Sequence, residues 1–182
     1  AGNWQVTVTV VELPGQFEVI RVEPGHAVNP PYGLAIDIGT TTVVVYLVNL
    51  ATGEIIDKQG TYNKQARYGD DVISRIVYSV DAPGNLAEIH AAVVNSVNEL
   101  ADKIIKKHRI KLEDIAGAVA AGNTTMTQLF LGVPPKYIRL EPYIPTLSFV
   151  PPVKAADLGL NMHPLGTCLL YTSPSPRDRQ KS

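Results

Sequence analysis

An apolar run that ends in one carboxylate and then turns is the feature that most constrains this fold. Residues 32–38 (YGLAIDI) contain a single acid, Asp37, and a second β-branched run begins at Val43 after a short turn. This order predicts strand, tight turn and strand. The turn's glycine lets backbone approach a ligand closely, so we predict that the turn binds phosphate while Asp37 holds hydrated Mg²⁺. The candidate phosphate-binding residues are Gly39, Thr40, Thr41 and Thr42. An ordinary threonine-rich hairpin with a buried aspartate is the alternative.

Composition excludes several classes of protein. The 182 residues have room for one domain with a core, and 45% hydrophobic with 18% charged residues is a globular composition. A net charge of −1 argues against a nucleic-acid surface or binding to an anionic membrane. Neither a bilayer-spanning run nor a secretion signal is visible, so we expect a cytoplasmic protein. Because the chain begins with Ala1, we expect its natural start to lie upstream.

The last segment breaks the character of the chain. Residues 167–182 contain a Ser-Pro repeat, a charged end and the one cysteine, Cys168. They resemble a translated sequencing adapter, with a native disordered terminus as the alternative, and we predict that they pack on nothing. Residues 1–166 then contain no cysteine for a disulfide or a Cys-ligated iron–sulfur cluster.

The order of the other elements predicts the fold. Residues 4–22 form a hairpin, which we expect to be the end of something larger because isolated hairpins are marginal in water. Residues 33–62 form three sequential antiparallel strands, and a helix follows from residue 70. Asn85 is expected to cap a second helix over 86–107, whose apolar stripe packs on the sheet. This stripe contains Ile89, Val93, Val97, Leu100 and Ile104.

A second turn follows a small-residue apolar strand. Residues 115–121 are suited to a central strand covered on both faces and parallel to the first. The turn that follows opens a short helix, so it is either an anion site or a simple helix N-cap. Its residues are Gly122, Asn123, Thr124 and Thr125. If both turns serve one cleft, they must converge at the same edge of the sheet.

These elements together predict an α/β, ribonuclease-H-like half-domain with a small N-terminal β-hairpin. A phosphate hairpin between its first two strands is typical of the class of actin, sugar kinases and heat-shock-chaperone ATPases. Four motifs in the same order make the resemblance narrower: residues 33–42, 65–76, 121–132 and 141–143. The set resembles the ASKHA-type ATPase domain of the reductive activators of corrinoid proteins, over roughly residues 1–166.

The resemblance implies a division of the chain and a function. Residues 1–31 would be a β-hairpin and linker from a preceding middle domain, 32–166 the first half of the ATPase, and 167–182 a non-native or disordered tail. Family members use ATP to return cob(II)alamin on a partner corrinoid protein to Co(I), and their [2Fe-2S] cluster lies in an N-terminal domain that this chain lacks. By resemblance Asp37 is the catalytic and Mg²⁺-coordinating residue, and the residues of both turns bind ATP.

The same resemblance implies partners and limits. Arg67 to Asp71 would contact the partner or the other ATPase half, and a homodimer of the parent is compatible with the family. Because the second half and its adenosine pocket are absent, we expect the fragment to be inactive alone and to bind ATP weakly. Two alternatives stay open: a sugar or acyl-group kinase of the same fold, or a non-enzymatic nucleotide-binding interaction module.

Overall fold

Two sheets organise the chain in a computed structural model that describes residues 4–13, 15–27 and 30–172. Strands β1 (Val6–Leu13) and β2 (Gln16–Pro24) form an antiparallel hairpin. The second sheet has the order β5-β4-β3-β6-β8-β7. Its strands are β3 (Tyr32–Ile38), β4 (Thr42–Asn49), β5 (Ile55–Tyr62), β6 (Ile115–Gly122), β7 (Val153–Lys154) and β8 (Thr167–Thr172).

The topology of the large sheet confirms the predicted α/β half-domain. Strands β3, β4 and β5 pair in sequence and antiparallel. Strand β6 returns beside β3 in parallel, with Ile38 opposite Gly122 at the end of both strands. The helices are α1 (Val72–Asp81), α2 (Asn85–His108), α3 (Thr124–Phe130) and α4 (Ala155–Leu158). Within the described residues, no helix is both long and apolar enough to cross a bilayer.

Helix α2 builds the core against β4 and β5. The whole predicted stripe is buried, with Ile89, Val93 and Ile104 completely inaccessible to solvent. The predicted cap by Asn85 is wrong. Gly84 is the N-cap, in the left-handed region with φ 94°, and Asn85 is the first helical residue. Its amide Nδ2 donates to the Tyr78 carbonyl at 2.8 Å, so this side chain ties α2 back to α1 instead.

The prediction that residues 167–182 pack on nothing is wrong for 167–172. These residues form β8, which lies parallel to β6, and Cys168 is fully buried. The apolar run Cys168–Tyr171 suits a strand, and its pairing satisfies the outer edge of β6. The half-domain therefore continues at least to Thr172, beyond the predicted boundary at 166. Residues 173–182 lie outside the described residues.

Strand β6 is not covered on both faces as predicted. Ile115, Ala118 and Ala120 are buried, but Val119 is 40% exposed. Since successive side chains of a strand point to opposite faces, the helices cover one face of β6 and leave part of the other open.

Candidate functional site

The two predicted turns meet at one edge of the sheet. Strands β3 and β6 run parallel and end together, so the segments that follow them leave the sheet side by side. The Asn123 side chain donates from Nδ2 to the Thr40 hydroxyl at 3.3 Å. The predicted convergence is therefore present, across 83 positions of sequence.

The turn after β3 is closed so tightly that only glycine fits. The Gly39 amide donates to the Thr42 carbonyl at 2.9 Å. A Cβ atom at Gly39 would lie 2.6 Å from that carbonyl oxygen, well inside van der Waals contact. Thr41 and Thr42 are exposed beyond it, and Asp37 is exposed on the last part of β3. The alternative of a buried aspartate is excluded, because this carboxylate faces solvent.

A residue that the sequence did not single out supports this turn from inside. Asn63 is 1% exposed. Its Nδ2 donates to the Gly39 carbonyl at 2.8 Å, and its backbone amide donates to the Thr41 carbonyl at 2.8 Å. A trans peptide points its C=O and the next N–H in opposite directions. Both bonds therefore turn the amides that follow, at Thr40 and Thr42, away from Asn63.

Two amides of this turn have no protein partner. Among the described residues, neither the Thr40 nor the Thr41 amide donates a hydrogen bond to backbone or side chain. Unpaired amides beside hydroxyl groups are suited to bind an oxyanion. The only signal in the sequence for Asn63 is a lone asparagine just after a strand, which is too common to identify a support of this kind.

The turn after β6 is a helix N-cap, one of its two predicted alternatives, and it also contacts the first turn. The Asn123 carbonyl oxygen Oδ1 accepts from the Met126 amide at 2.9 Å, so this residue is the N-cap of α3. Its Nδ2 is left to contact Thr40. Gly122 is required for the approach of the two strands, because a Cβ there would lie 2.9 Å from the Ile38 carbonyl oxygen. Thr125 is 3% exposed, so Thr124 is the more accessible of the two threonines.

A buried arginine connects the segment 67–71 to helix α3, which follows the second turn. Arg75 is 1% exposed, its Nε donates to the Gly69 carbonyl at 2.8 Å, and its Nη1 lies 3.5 Å from the Met126 sulfur. Burial lowers the pKa of Arg75 from its ordinary value, and the nearby Asp70 and Asp71 oppose this shift. Asp71 also caps α1, accepting from the Ser74 amide at 2.7 Å, and this bond holds the pKa of its carboxyl low.

Metal-ligating side chains are sparse around the two turns. Within residues 4–13, 15–27 and 30–172, no group of three or more His, Cys, Asp or Glu side chains could hold a metal ion. Asp37 is an exposed carboxylate, a hard oxygen donor, at this edge. Mg²⁺ in phosphate-transfer sites keeps several waters and is held by one or two carboxylates plus substrate phosphates. The residues present therefore fit a hydrated Mg²⁺ that accompanies a phosphate ligand.

Comparison with known proteins gives one family and two informative relatives. A family model described as the RACo middle region matches residues 32–176. The corrinoid activation enzyme RamQ of Eubacterium limosum is 38% identical over 138 residues, which are 76% of this chain and 23% of that protein. A solved structure of a reductive activator for corrinoid, iron–sulfur protein is 46% identical, with a TM-score of 0.89 over 94% of this chain and 27% of that one. The chain thus spans about a quarter of the length of these relatives.

Proposed function

The chain belongs to the family of the RACo middle region, and we propose that it is part of an ATP-dependent reductive activator of a corrinoid protein. The relatives similar to it are a corrinoid activation enzyme and a reductive activator. Because this chain spans only about a quarter of each, the activity is proposed for the full-length protein. These relatives favour the activator over a sugar or acyl-group kinase.

The contact between the two turns is the observation that supports an ATP site most strongly. Parallel strands bring Gly39–Thr42 beside Gly122–Thr125, and the Asn123–Thr40 hydrogen bond joins them. The unpaired amides of Thr40 and Thr41 and the threonine hydroxyls would bind phosphate oxygens. Asp37 would hold Mg²⁺ through water, with the metal's other ligands supplied by water and phosphate. Helix α3 has only seven residues, so the turns contribute more to this site than its dipole does.

ATP supplies the driving force that the proposed reaction needs. Reduction of Co(II) to Co(I) is uphill from ordinary donors. A nucleotide that binds one conformation of the activator more tightly than another shifts the protein toward that conformation, and this change can alter the cobalt's surroundings. This chain's residues would bind and orient the nucleotide at the sheet edge. A [2Fe-2S] cluster takes four ligands, and this chain has one cysteine, so the cluster would lie in another part of the protein.

Partner contacts and domain divisions are also proposals. The segment Arg67–Asp71 is connected to helix α3 through Arg75 and Met126, and this connection supports a role for the segment in contacting a corrinoid protein or the other ATPase half. We retain residues 1–31 as part of a preceding domain. The fragment alone should bind ATP weakly, because it contributes only one side of a two-sided cleft.

Substitution of Asp37 tests the proposal in the full-length protein. Asp37→Ala should abolish Mg²⁺-dependent ATP hydrolysis and ATP-driven cobalt reduction, because the metal loses its carboxylate anchor. ATP hydrolysis is followed by phosphate release, and Co(I) by its absorbance. Asp81→Ala, which removes an exposed carboxylate at the end of α1, is the matched control and should keep both activities. Unchanged rates in a correctly folded Asp37→Ala protein would refute the site.

A further inference from the structure

Helix α1 buries a cation that has no carboxylate in contact with it. Arg75 is 1% exposed, and its partners are neutral: the Gly69 carbonyl accepts from Nε at 2.8 Å, and the Met126 sulfur lies 3.5 Å from Nη1. None of the ion pairs among residues 4–13, 15–27 and 30–172 includes Arg75. Charged side chains are seldom fully buried unless an opposite charge pairs with them. Within the described residues, the positive charge of Arg75 is therefore not cancelled by a direct contact.

This cation lies beside the second turn. Met126, which the guanidinium contacts, is in the first turn of α3, and its amide donates to Oδ1 of the N-cap Asn123 at 2.9 Å. Met126 also packs against the first residue of the turn, because a Cβ built at Gly122 would lie 3.4 Å from the Met126 Cβ. One methionine side chain thus separates the guanidinium from the backbone of Gly122.

The acidic residues near Arg75 weaken its positive potential without cancelling it. Asp70 and Asp71 both favour the charged form of Arg75, so they lie close enough to act on it. Both carboxylates are exposed to water, which screens them. The Asp71 carboxylate also accepts from the amide and the hydroxyl of Ser74. The buried guanidinium is screened less than these exposed carboxylates, so a net positive potential remains beside the second turn.

A buried charge acts on a nearby ligand without touching it. At a separation on the order of 10 Å and an effective dielectric constant of about 20, one unit charge changes the binding constant of another roughly tenfold. A cation beside the turn favours anions, and it favours them more strongly as the negative charge of the ligand grows. The position of Arg75 therefore bears on which phosphate ligand the two turns prefer.

We propose that Arg75 makes the site formed by the two turns prefer the most highly charged nucleotide, a triphosphate over a diphosphate. This role rests on the nucleotide site proposed above and gives the origin of its charge preference. Each further phosphate group adds negative charge, so its binding gains from Arg75, whereas binding of neutral adenosine gains nothing. Arg75 acts through its charge, and contact with the phosphates is left to the turns.

Calorimetric titration of the full-length protein with ATP, ADP and adenosine, without Mg²⁺, tests this. Arg75→Met removes the charge but leaves an apolar side chain of similar length, a replacement that buried charged sites often tolerate. The affinity of this variant for ATP should fall about tenfold or more. Its affinity for ADP should fall less, and its affinity for adenosine should stay the same. Arg75→Lys retains a cation and should keep most of the preference for ATP over ADP.

Arg109→Met is the matched control, since it removes the same charge at the far end of the sheet. Arg109 is exposed and follows His108, whose ring contacts Asp57 near the start of β5. The turn after β3 lies at the other end of that strand, where Thr42 pairs with Tyr62. This variant should bind all three ligands as the wild type does.

Asp70→Asn has the opposite expected sign and leaves the core intact. Because it removes an exposed negative charge near Arg75, it should raise the affinity for ATP more than that for ADP, and it decides the question if Arg75→Met does not fold. An equal loss for all three ligands in Arg75→Met, a lysine variant that behaves like the methionine variant, or no gain in Asp70→Asn would overturn the proposal. A wild type that binds no ATP would refute the nucleotide site itself, and with it this role of Arg75.

Discussion

At the scale of single residues, Asn63 determines how the turn after β3 presents its amides. Its side chain and backbone amide hold the Gly39 and Thr41 carbonyls from inside. The same Asn63 side chain accepts from the Gln65 amide at 3.0 Å, and Gln65 in turn donates to the Ile89 carbonyl at 2.9 Å. The turn is therefore connected through two buried amide side chains to helix α2.

Asn63→Ala should lower the free energy of unfolding of the chain by about 1–3 kcal/mol, the usual loss when a buried hydrogen-bonding group loses its partner. Asn63→Asp should cost more, because a carboxylate would then face the Gly39 carbonyl oxygen. Urea denaturation measures both. Asn49→Ala is the matched control, since its side chain serves only the exposed turn between β4 and β5. Equal effects of the two alanine substitutions would contradict a special role for Asn63.

At the scale of elements, a charge cluster joins strand β5 to the last turn of α2. Asp57 Oδ2 lies 2.9 Å from Lys107 Nζ and 2.8 Å from His108 Nε2. These contacts, that of Lys107 first, hold the pKa of the Asp57 carboxyl far below its usual range. A carboxyl whose pKa is lower in the folded state stabilises the fold above its unfolded pKa of about 3.9 and loses this effect as the pH falls.

Asp57→Asn should therefore destabilise the chain at pH 7, and the difference from the wild type should shrink as the pH falls below about 4. Melting curves of the two proteins between neutral and acid pH measure it. Asp81→Asn, which removes an exposed carboxylate outside the cluster, should show a smaller difference at pH 7. A difference between wild type and Asp57→Asn that stays constant down to low pH would exclude the ionic contribution.

The sequence predicts how an element is oriented only where its pattern shows which side must face water. The stripe of α2 shows this, because its polar side must face water. The hairpin over residues 4–22 was predicted, but the sequence does not say which of its faces turns to the domain, because that depends on distant partners such as Asp114 and Lys154. Asn63 has no pattern at all. The sequence analysis did not predict strand β8, because the Ser-Pro repeat that follows it made the whole segment 167–182 resemble an unstructured tail, although residues 168–171 are apolar.

At the scale of the whole molecule, the large sheet depends on β8, which pairs in parallel with β6 on the side opposite β3. Cys168 belongs to the buried core, and Leu170 packs against it. A chain that ends at residue 166 should lose at least about 3 kcal/mol of stability, as when a large core side chain is removed. It should also aggregate more, because the edge of β6 is then open. A chain that ends at residue 172 is the control and should match the full chain in urea denaturation.

The convergence of the two turns is also a whole-molecule property, and it was predictable. Parallel strands bring their carboxyl ends to one edge of a sheet, so Ile38 and Gly122 had to end together once β3 and β6 were neighbours. The contact between Asn123 and Thr40 could not be foreseen at this level, because it depends on the rotamer of one side chain.

The buried position of Cys168 makes its thiol a reporter of how often strand β8 detaches from the sheet. Burial raises the pKa of its thiol to about 12, so hardly any reactive thiolate exists at neutral pH while β8 stays paired. An alkylating reagent can modify it only in the moments when that strand detaches. The rate of modification therefore measures how often β8 detaches from β6. Measured with and without a nucleotide, this rate would show whether ligand binding at the ends of β3 and β6 makes the detachment of β8 less frequent.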